Sequence, residues 1–409
     1  MKTSFDVIVL GCGGIGSAAL YWLSRDFGDN VLGLEQFSHG HEKGGSHDHS
    51  RIIRLSYDSV DYTRLAPDTY TCFAKLEEES GVQLVYKTGG LDVGIVEQDK
   101  PFELDDYSNA MRESNIDFET WTAAETTKYF PQFRLPENAK VLYQKDSGLV
   151  DARKGVQVHA LLAQARGATL LENTPVRAVK TYKDGIDIIT EGETFHANKL
   201  VVTAGAWLNN ILAMVNLKLP ITVTREQVTY FKSPHLKDFA IGKFPIWIYS
   251  GNRQHYFYGF PVYGEVAVKA AEDVGGQITT AETRTFEKDT RSDLTLKSFL
   301  AAHLPTALGP ELYTKTCLYD MTPDRDFIVD FLPHHPNILI VHGAAHAYKF
   351  TSLLGKISSQ LITTGKTPYN ITRFRLNRPA LTEKDYKPIF KIHKEPLTRL
   401  AHIIPCGES

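Results

Sequence analysis

The sequence predicts an α/β fold in which a discontinuous, Rossmann-like domain carries an inserted, sheet-rich second domain. Three observations lead there. An apolar run, Phe5-Asp6-Val7-Ile8-Val9-Leu10, enters Gly11-Cys12-Gly13-Gly14-Ile15-Gly16 and then an amphipathic stretch over 17–26. A second apolar run, 30–34, ends in Glu35, nineteen residues after Gly16. Turns of the same kind recur far downstream, at Ala204-Gly205-Ala206-Trp207 and at Gly343, with segments of another character between them.

The first unit reads as strand, glycine turn, helix, strand, acid. Glycines at such a turn let backbone N–H groups approach a pyrophosphate at a helix N-terminus, and an acid about 20 residues on accepts hydrogen bonds from a ribose. Gly11, Gly13, Gly14, Ile15, Gly16 and Glu35 therefore form a candidate dinucleotide site. A plain βα turn that needs glycine for packing leaves Glu35 unexplained. The motif alone separates neither NAD from FAD. The long span after Glu35 favours FAD, because a NAD domain usually continues with βαβ units.

Further along, 84–94 and 244–269 are β-like and aromatic. Residues 161–166 read as a helix end and 169–171 as a strand. Pro175-Val176 leads into a hairpin over 179–190 that turns at Asp184-Gly185. Residues 199–203 and 337–341 read as apolar strands, and 280–304 and 350–361 as helices. The resulting division places the FAD-binding domain at 1–83, 147–218 and 318–382, the substrate domain at 84–146 and 219–317, and a C-terminal tail at 383–409.

Bulk properties narrow the function. The 409 residues are 42% hydrophobic and 23% charged, ordinary for a globular protein. A formal charge of −3 gives no footprint for nucleic acid or an anionic membrane. No apolar run approaches the ~20 residues of a membrane span. The first strand begins within five residues of the start, which leaves no room for a signal peptide, and Cys406-Gly407-Glu408-Ser409 is not a peroxisomal address. Cys12, Cys72, Cys317 and Cys406 are scattered, with no CxxC pair, as expected for a reducing, cytoplasmic compartment. His39, His41, His47 and His49 cluster in a glycine-rich loop, but without a Cys or carboxylate at ligand spacing, so no metal is expected.

Several motifs together resemble the monomeric sarcosine oxidase and N-methyltryptophan oxidase family of FAD-dependent amine oxidases. Gly44-Gly45-Ser46-His47-Asp48-His49-Ser50-Arg51-Ile52-Ile53-Arg54 is similar to the family loop GSSHG-x-[S/T]-RIIR. Tyr258-Gly259-Phe260-Pro261 with Lys269 resembles YGFP…K, and Cys317-Leu318-Tyr319 with Pro323-Asp324 and Phe327 resembles C-x-Y…PD-x-x-F. His346-Ala347-Tyr348-Lys349-Phe350 and Asn377-Arg378-Pro379 complete the set, which runs from Phe5 to about Leu381.

The resemblance implies a two-domain fold and an FAD joined through its 8α-methyl group to Cys317. It implies oxidation of a secondary amine on a small carboxylic acid, such as an N-methyl or other N-alkyl amino acid. Hydride leaves the carbon beside nitrogen for flavin N5, the imine hydrolyses, and O2 becomes hydrogen peroxide. Arg54 and Lys349 correspond to the pair that grips the substrate carboxylate, a planar fork and a point charge. Arg51 corresponds to the arginine near the flavin ring, and Lys269 to the lysine that favours reduction of O2 to an anion. Tyr258 and Tyr57 are candidates for an aromatic wall; Trp247 and Tyr249 serve equally well as sheet core. Ser46, His47, Val176, Gly205, Gly343 and Lys349 join the cofactor set. A monomer is implied.

Three departures bear on substrate identity. Asp273 stands where better-known relatives carry a histidine, and an acid there would welcome a second cation. The loop Gly343-Ala344-Ala345-His346-Ala347 is shorter and poorer in glycine than GFSGHG. Asp48 replaces a glycine beside His47. A bulkier or more basic N-alkyl amino acid than sarcosine is the expected substrate. A flavin amine dehydrogenase, an imine-trapping biosynthetic oxidase or a non-enzymatic flavoprotein are the alternatives on this fold.

Overall fold

The computed structural model describes residues 2–98, 100–250 and 255–392; Cys406 and the end of the tail lie outside them. Two large sheets dominate. The first has eight strands, in the order Ala178–Thr181, Ile186–Ile189, Thr194–Val202, Ser4–Leu10, Val31–Leu34, Thr169–Leu171, and His335–His342 also pairs with Thr194–Val202 and Ile328–Leu332. Its centre is parallel: Ser4–Leu10 runs alongside both Thr194–Val202 and Val31–Leu34. A parallel strand covered on both faces reads as a continuous apolar run. Here Val7 and Val9 enter one core cluster, while Phe5, Ile8 and Leu10 enter the other.

The helix after the glycine turn spans Gly14–Phe27, longer than the amphipathic stretch at 17–26 suggested. It packs against Ala152–Ala165 and Thr351–Thr364. The contact with Thr351–Thr364 needs Gly355: a Cβ there would lie 2.5 Å from the Ala18 carbonyl carbon. The first strand, Val31–Leu34 and the hairpin follow the sequence-based expectation, and the strands expected at 199–203 and 337–341 are longer, Thr194–Val202 and His335–His342.

The second sheet has nine strands and is mixed. Thr222–Phe231 pairs with Val268–Asp273 and with the long strand Glu311–Met321. Val268–Asp273 pairs with Tyr256–Phe260, which continues to Ile246–Ser250 and Gly90–Ile95. A small three-stranded sheet, Ser50–Ile53, Gly148–Asp151 and Val85–Lys87, lies outside both. The segment 280–304 is only partly helical. Its helix is Thr290–His303, capped by Asp289, whose side chain accepts from the Ser292 N–H. Ahead of it, Thr280 and Thr283 bond each other through side chains and backbone. Hydroxyls that satisfy the local backbone in this way compete with a helix. Among the described residues no helix is long and apolar enough to cross a membrane.

Candidate active site

The glycine turn is shaped by close approach. Gly11 has φ +88°, and a Cβ on it would lie 2.8 Å from the Thr203 carbonyl oxygen, on the neighbouring strand. A Cβ on Gly16 would lie 1.8 Å from the Gly11 carbonyl oxygen. Gly16 therefore closes the turn on itself and does not line the cavity below, whereas Gly11, Gly13, Gly14 and Ile15 do. The Gly14 N–H donates to Ser46 Oγ at 3.0 Å, which ties the turn to the 44–51 loop. Glu35 is buried at the end of its strand. Its carboxylate accepts from the Cys12 and Phe37 N–H groups, each at 3.0 Å, and lies 3.4 Å from His41 Nε2.

One cavity of about 1180 Å³ runs over this turn. It exceeds the ~300–1,000 Å³ of ordinary small-molecule sites. Its wall holds Glu35, Ser46, His47, Arg51, Arg54, Val176, Gly205, Tyr258, Cys317, Gly343 and Lys349. It also holds Ile389, Phe390 and Lys391 of the tail, which nothing in the sequence pointed to. Lys269 is not on the wall. It is 2% exposed and sits one layer behind Asp48, which is on it.

The four loop histidines do not converge. His39 bonds Ser17 Oγ, His41 meets Glu35, and His49 bonds Glu265 at 3.0 Å. His47 faces the cavity with both ring nitrogens buried and, among the described residues, unpartnered. Burial and the neighbouring Arg51 push its pKa down to about 4, so it is neutral near pH 7.

The cations of the site are mostly neutralised by this chain itself. Arg54 Nη1 meets Asp92 Oδ1 at 2.5 Å, the carboxylate buried and the arginine partly so, with the guanidinium against the Tyr57 and Tyr107 rings. Arg325 Nη1 meets Asp273 Oδ2 at 2.9 Å. The second cation that Asp273 was expected to draw from a substrate is thus supplied by Arg325, and the motive for a basic substrate falls away. Lys269 Nζ meets Asp48 Oδ2 at 2.7 Å. Arg51 makes no such pair among the described residues: its two Nη groups donate to the Ser50 and Gly45 carbonyls, both at 2.9 Å. Lys349 Nζ donates to the His346 carbonyl at 3.1 Å. Burial, then Arg54 and Arg325, push its pKa down to about 7.

The shortened loop keeps a glycine-like path without the glycines, since Ala344 and Ala345 adopt φ +45° and +70°. Cys317 lies on the strand Glu311–Met321, opposite Glu226. Burial pushes its thiol up to about 11, and Arg51 is the largest pull downward. Tyr57, Tyr107 and Tyr258 line the cavity, but Trp247 and Tyr249 do not. Those two belong to the core of the second sheet with Phe257 and Phe299. Asp92, Tyr107 and Arg325 were not anticipated. Asp92 left a signal, an acid inside the apolar strand Gly90–Ile95, because a buried charge needs a partner.

The family described as FAD dependent oxidoreductase (DAO) matches residues 6–361. The chain is 32% identical over 389 residues to the monomeric sarcosine oxidase of Arthrobacter sp. (strain TE1826), covering 94% of this chain and 99% of that protein. It is 29% identical over 378 residues to the N-methyl-L-tryptophan oxidase of Yersinia pestis (strain Pestoides F), covering 91% and 99%. The open form of NikD, an amino acid oxidase essential for nikkomycin biosynthesis, matches with a TM-score of 0.79 and 26% identity over 96% of this chain and all of that one. Glycine oxidase from Geobacillus kaustophilus, 19% identical with a TM-score of 0.76, shares the fold. With a family match across most of its length and a relative of 32% identity along nearly all of it, the chain belongs to the FAD-dependent oxidoreductase family.

Proposed function

We propose that the protein is an oxidase of a secondary amine, an N-alkyl amino acid, that passes two electrons to O2 and yields an imine and hydrogen peroxide. The observation that carries this reading is a single cavity whose wall holds both the glycine turn and the Arg54, Lys349, Tyr57 and Tyr258 set.

The chain's residues fit FAD. Gly11 and Gly14 leave no room for a side chain beside the turn, and His47 presents to the same cavity two buried ring nitrogens that have no partner among the described residues. Bound there, FAD supplies the acceptor for the electron pair and hydrogen from the carbon beside nitrogen. Arg54 and Lys349 bind and orient the substrate carboxylate. Asp92 holds the Arg54 fork in place through Nη1, while Arg54 Nε is buried without an acceptor among the described residues. The tyrosine rings enclose the amine and exclude water. Arg51 stabilises negative charge on the reduced cofactor. Lys269 does the same for oxygen as it gains charge. We read the eight-stranded sheet as the core of the FAD domain and the nine-stranded sheet, which includes all of Glu311–Met321, as that of the substrate domain.

The test is anaerobic bleaching of the yellow protein by a panel of N-alkyl and primary amino acids, followed by peroxide assay in air. Bleaching by N-alkyl amino acids with peroxide release is expected; a protein that no amine bleaches overturns the reading.

Two predictions attach to single residues. We take Cys317 as the covalent attachment point, supported by its place on the cavity wall and its proximity to Arg51. Acid precipitation should leave the wild-type pellet yellow and the Cys317→Ala pellet white; colour released from the wild type refutes the linkage. Lys349, with a pKa near 7 in the free site, is charged below that pH and neutral above it. The dissociation constant of a small carboxylate that lacks an amine should therefore be flat below pH 7. Above pH 7 it should rise about tenfold per unit, as one proton is lost. Titration of the flavin absorbance reads it, and Lys349→Met should flatten the profile at the weaker level.

A further inference from the structure

Asp48 occupies a position where the related loop has glycine, and it keeps a glycine's backbone, with φ +82°. An aspartate held in that conformation points to a role for its side chain, since the left-handed region disfavours side chains. The carboxylate is 4% exposed. Oδ2 meets Lys269 Nζ at 2.7 Å, and Oδ1 accepts from the Tyr230 hydroxyl at 2.8 Å. Lys269 in turn donates to the Ser50 carbonyl at 2.8 Å and to Ser50 Oγ at 3.2 Å. An ammonium has three N–H donors, and Asp48 and Ser50 together provide three oxygens. Beyond these, Lys269 faces the rings of Phe260, 4.6 Å from its centroid, and Tyr230, at 5.7 Å.

Sheet register assembles this arrangement. Lys269 lies opposite Tyr230 on one neighbouring strand and opposite Phe260 on the other. Tyr230 thereby reaches Asp48 from the sheet side while the 44–51 loop brings Asp48 and Ser50 from the cavity side. The charged and titratable groups facing the ammonium are Asp48, Arg51, Tyr230 and Cys317. Burial and Arg51 both disfavour the charged lysine; Asp48 is the group that opposes them most.

Resting on the reading of Lys269 as the group that favours oxygen reduction, we propose that Asp48 is a positioning residue that holds Lys269 as a fixed, charged ammonium behind the cavity wall. No bond is made or broken. The carboxylate acts through the lysine and does not touch the reacting atoms.

The experiment uses the flavin-loaded protein labelled with 15N-lysine. The Nζ signal of Lys269 is the one missing from Lys269→Met, and its pH titration is followed in wild type and in Asp48→Asn. Asparagine tolerates the left-handed backbone, so this variant removes the charge and little else. Its Lys269 midpoint should fall by about 1–3 pH units, the size of an opposite charge at this distance. The alkaline limb of the reoxidation rate by O2 should move to lower pH by the same amount. Asp48→Gly, which suits the backbone, should show the same displacement if the asparagine variant folds poorly. An unchanged lysine midpoint in a folded variant overturns the proposal. A shifted midpoint in a protein that no amine bleaches supports the coupling and overturns the oxidase reading instead.

Discussion

Lys269→Met is expected to keep anaerobic reduction by substrate and to lose O2 reactivity by about 10²–10³-fold, the usual effect of removing one preorganised electrostatic group. The two half-reactions separate because Lys269 lies behind Asp48 and off the wall that Arg54, Lys349 and Tyr258 share. Methionine matches the lysine stem in volume but strands the Asp48 carboxylate, and breaking a buried pair on one side costs about 3–5 kcal/mol. A lower melting temperature should accompany the kinetic loss. The double variant Asp48→Asn/Lys269→Met should regain much of the stability while O2 reactivity stays low. Stopped-flow mixing of the reduced protein with O2 reads the rate, and an unchanged rate in Lys269→Met refutes the role given to the lysine.

Arg54→Met is expected to weaken substrate binding by about 10- to 100-fold, from the ~1.5–3 kcal/mol of a hydrogen bond to a charged group at 1.4 kcal/mol per tenfold. The loss should fall on KM more than on kcat if the carboxylate is gripped equally before and during reaction. Arg54→Lys should not rescue it, because an ammonium cannot meet Asp92 and a substrate carboxylate with one planar fork. Asp92 gives the reciprocal test. It is 6% exposed, and burial already pushes its pKa upward despite Arg54. In Arg54→Met that upward push is unopposed, so the variant's stability should fall more steeply than the wild type's as pH rises above the range where the unfolded carboxyl ionises. Wild-type KM in Arg54→Met would refute the clamp.

The central architecture was readable because its causes are local. The strand Ser4–Leu10, the turn and the helix that follows are written in a continuous apolar run, glycine spacing and helical periodicity within thirty residues. Glu35 was readable for the same reason. The helix at Thr290–His303 was overextended because residues 280–289 hold no glycine or proline to break it, while the cap that starts it is a side-chain hydrogen bond. Lys269, Arg51, Arg54 and Cys317 were found through motif resemblance, which names residues but not their neighbours.

What the chain alone determined is the set of chemical groups: a glycine-rich turn followed by Glu35, the cations proposed as a carboxylate clamp, a lysine and a cysteine on strands. Only the tertiary structure decided how those charges are compensated. Asp92 reaches Arg54 across 38 residues, Asp273 reaches Arg325 across 52, and Asp48 reaches Lys269 from the 44–51 loop. Pairings of this kind arise from strand register and loop placement. The energy of a buried charge depends on the partner standing a few ångströms away, and sequence separation carries no record of that distance.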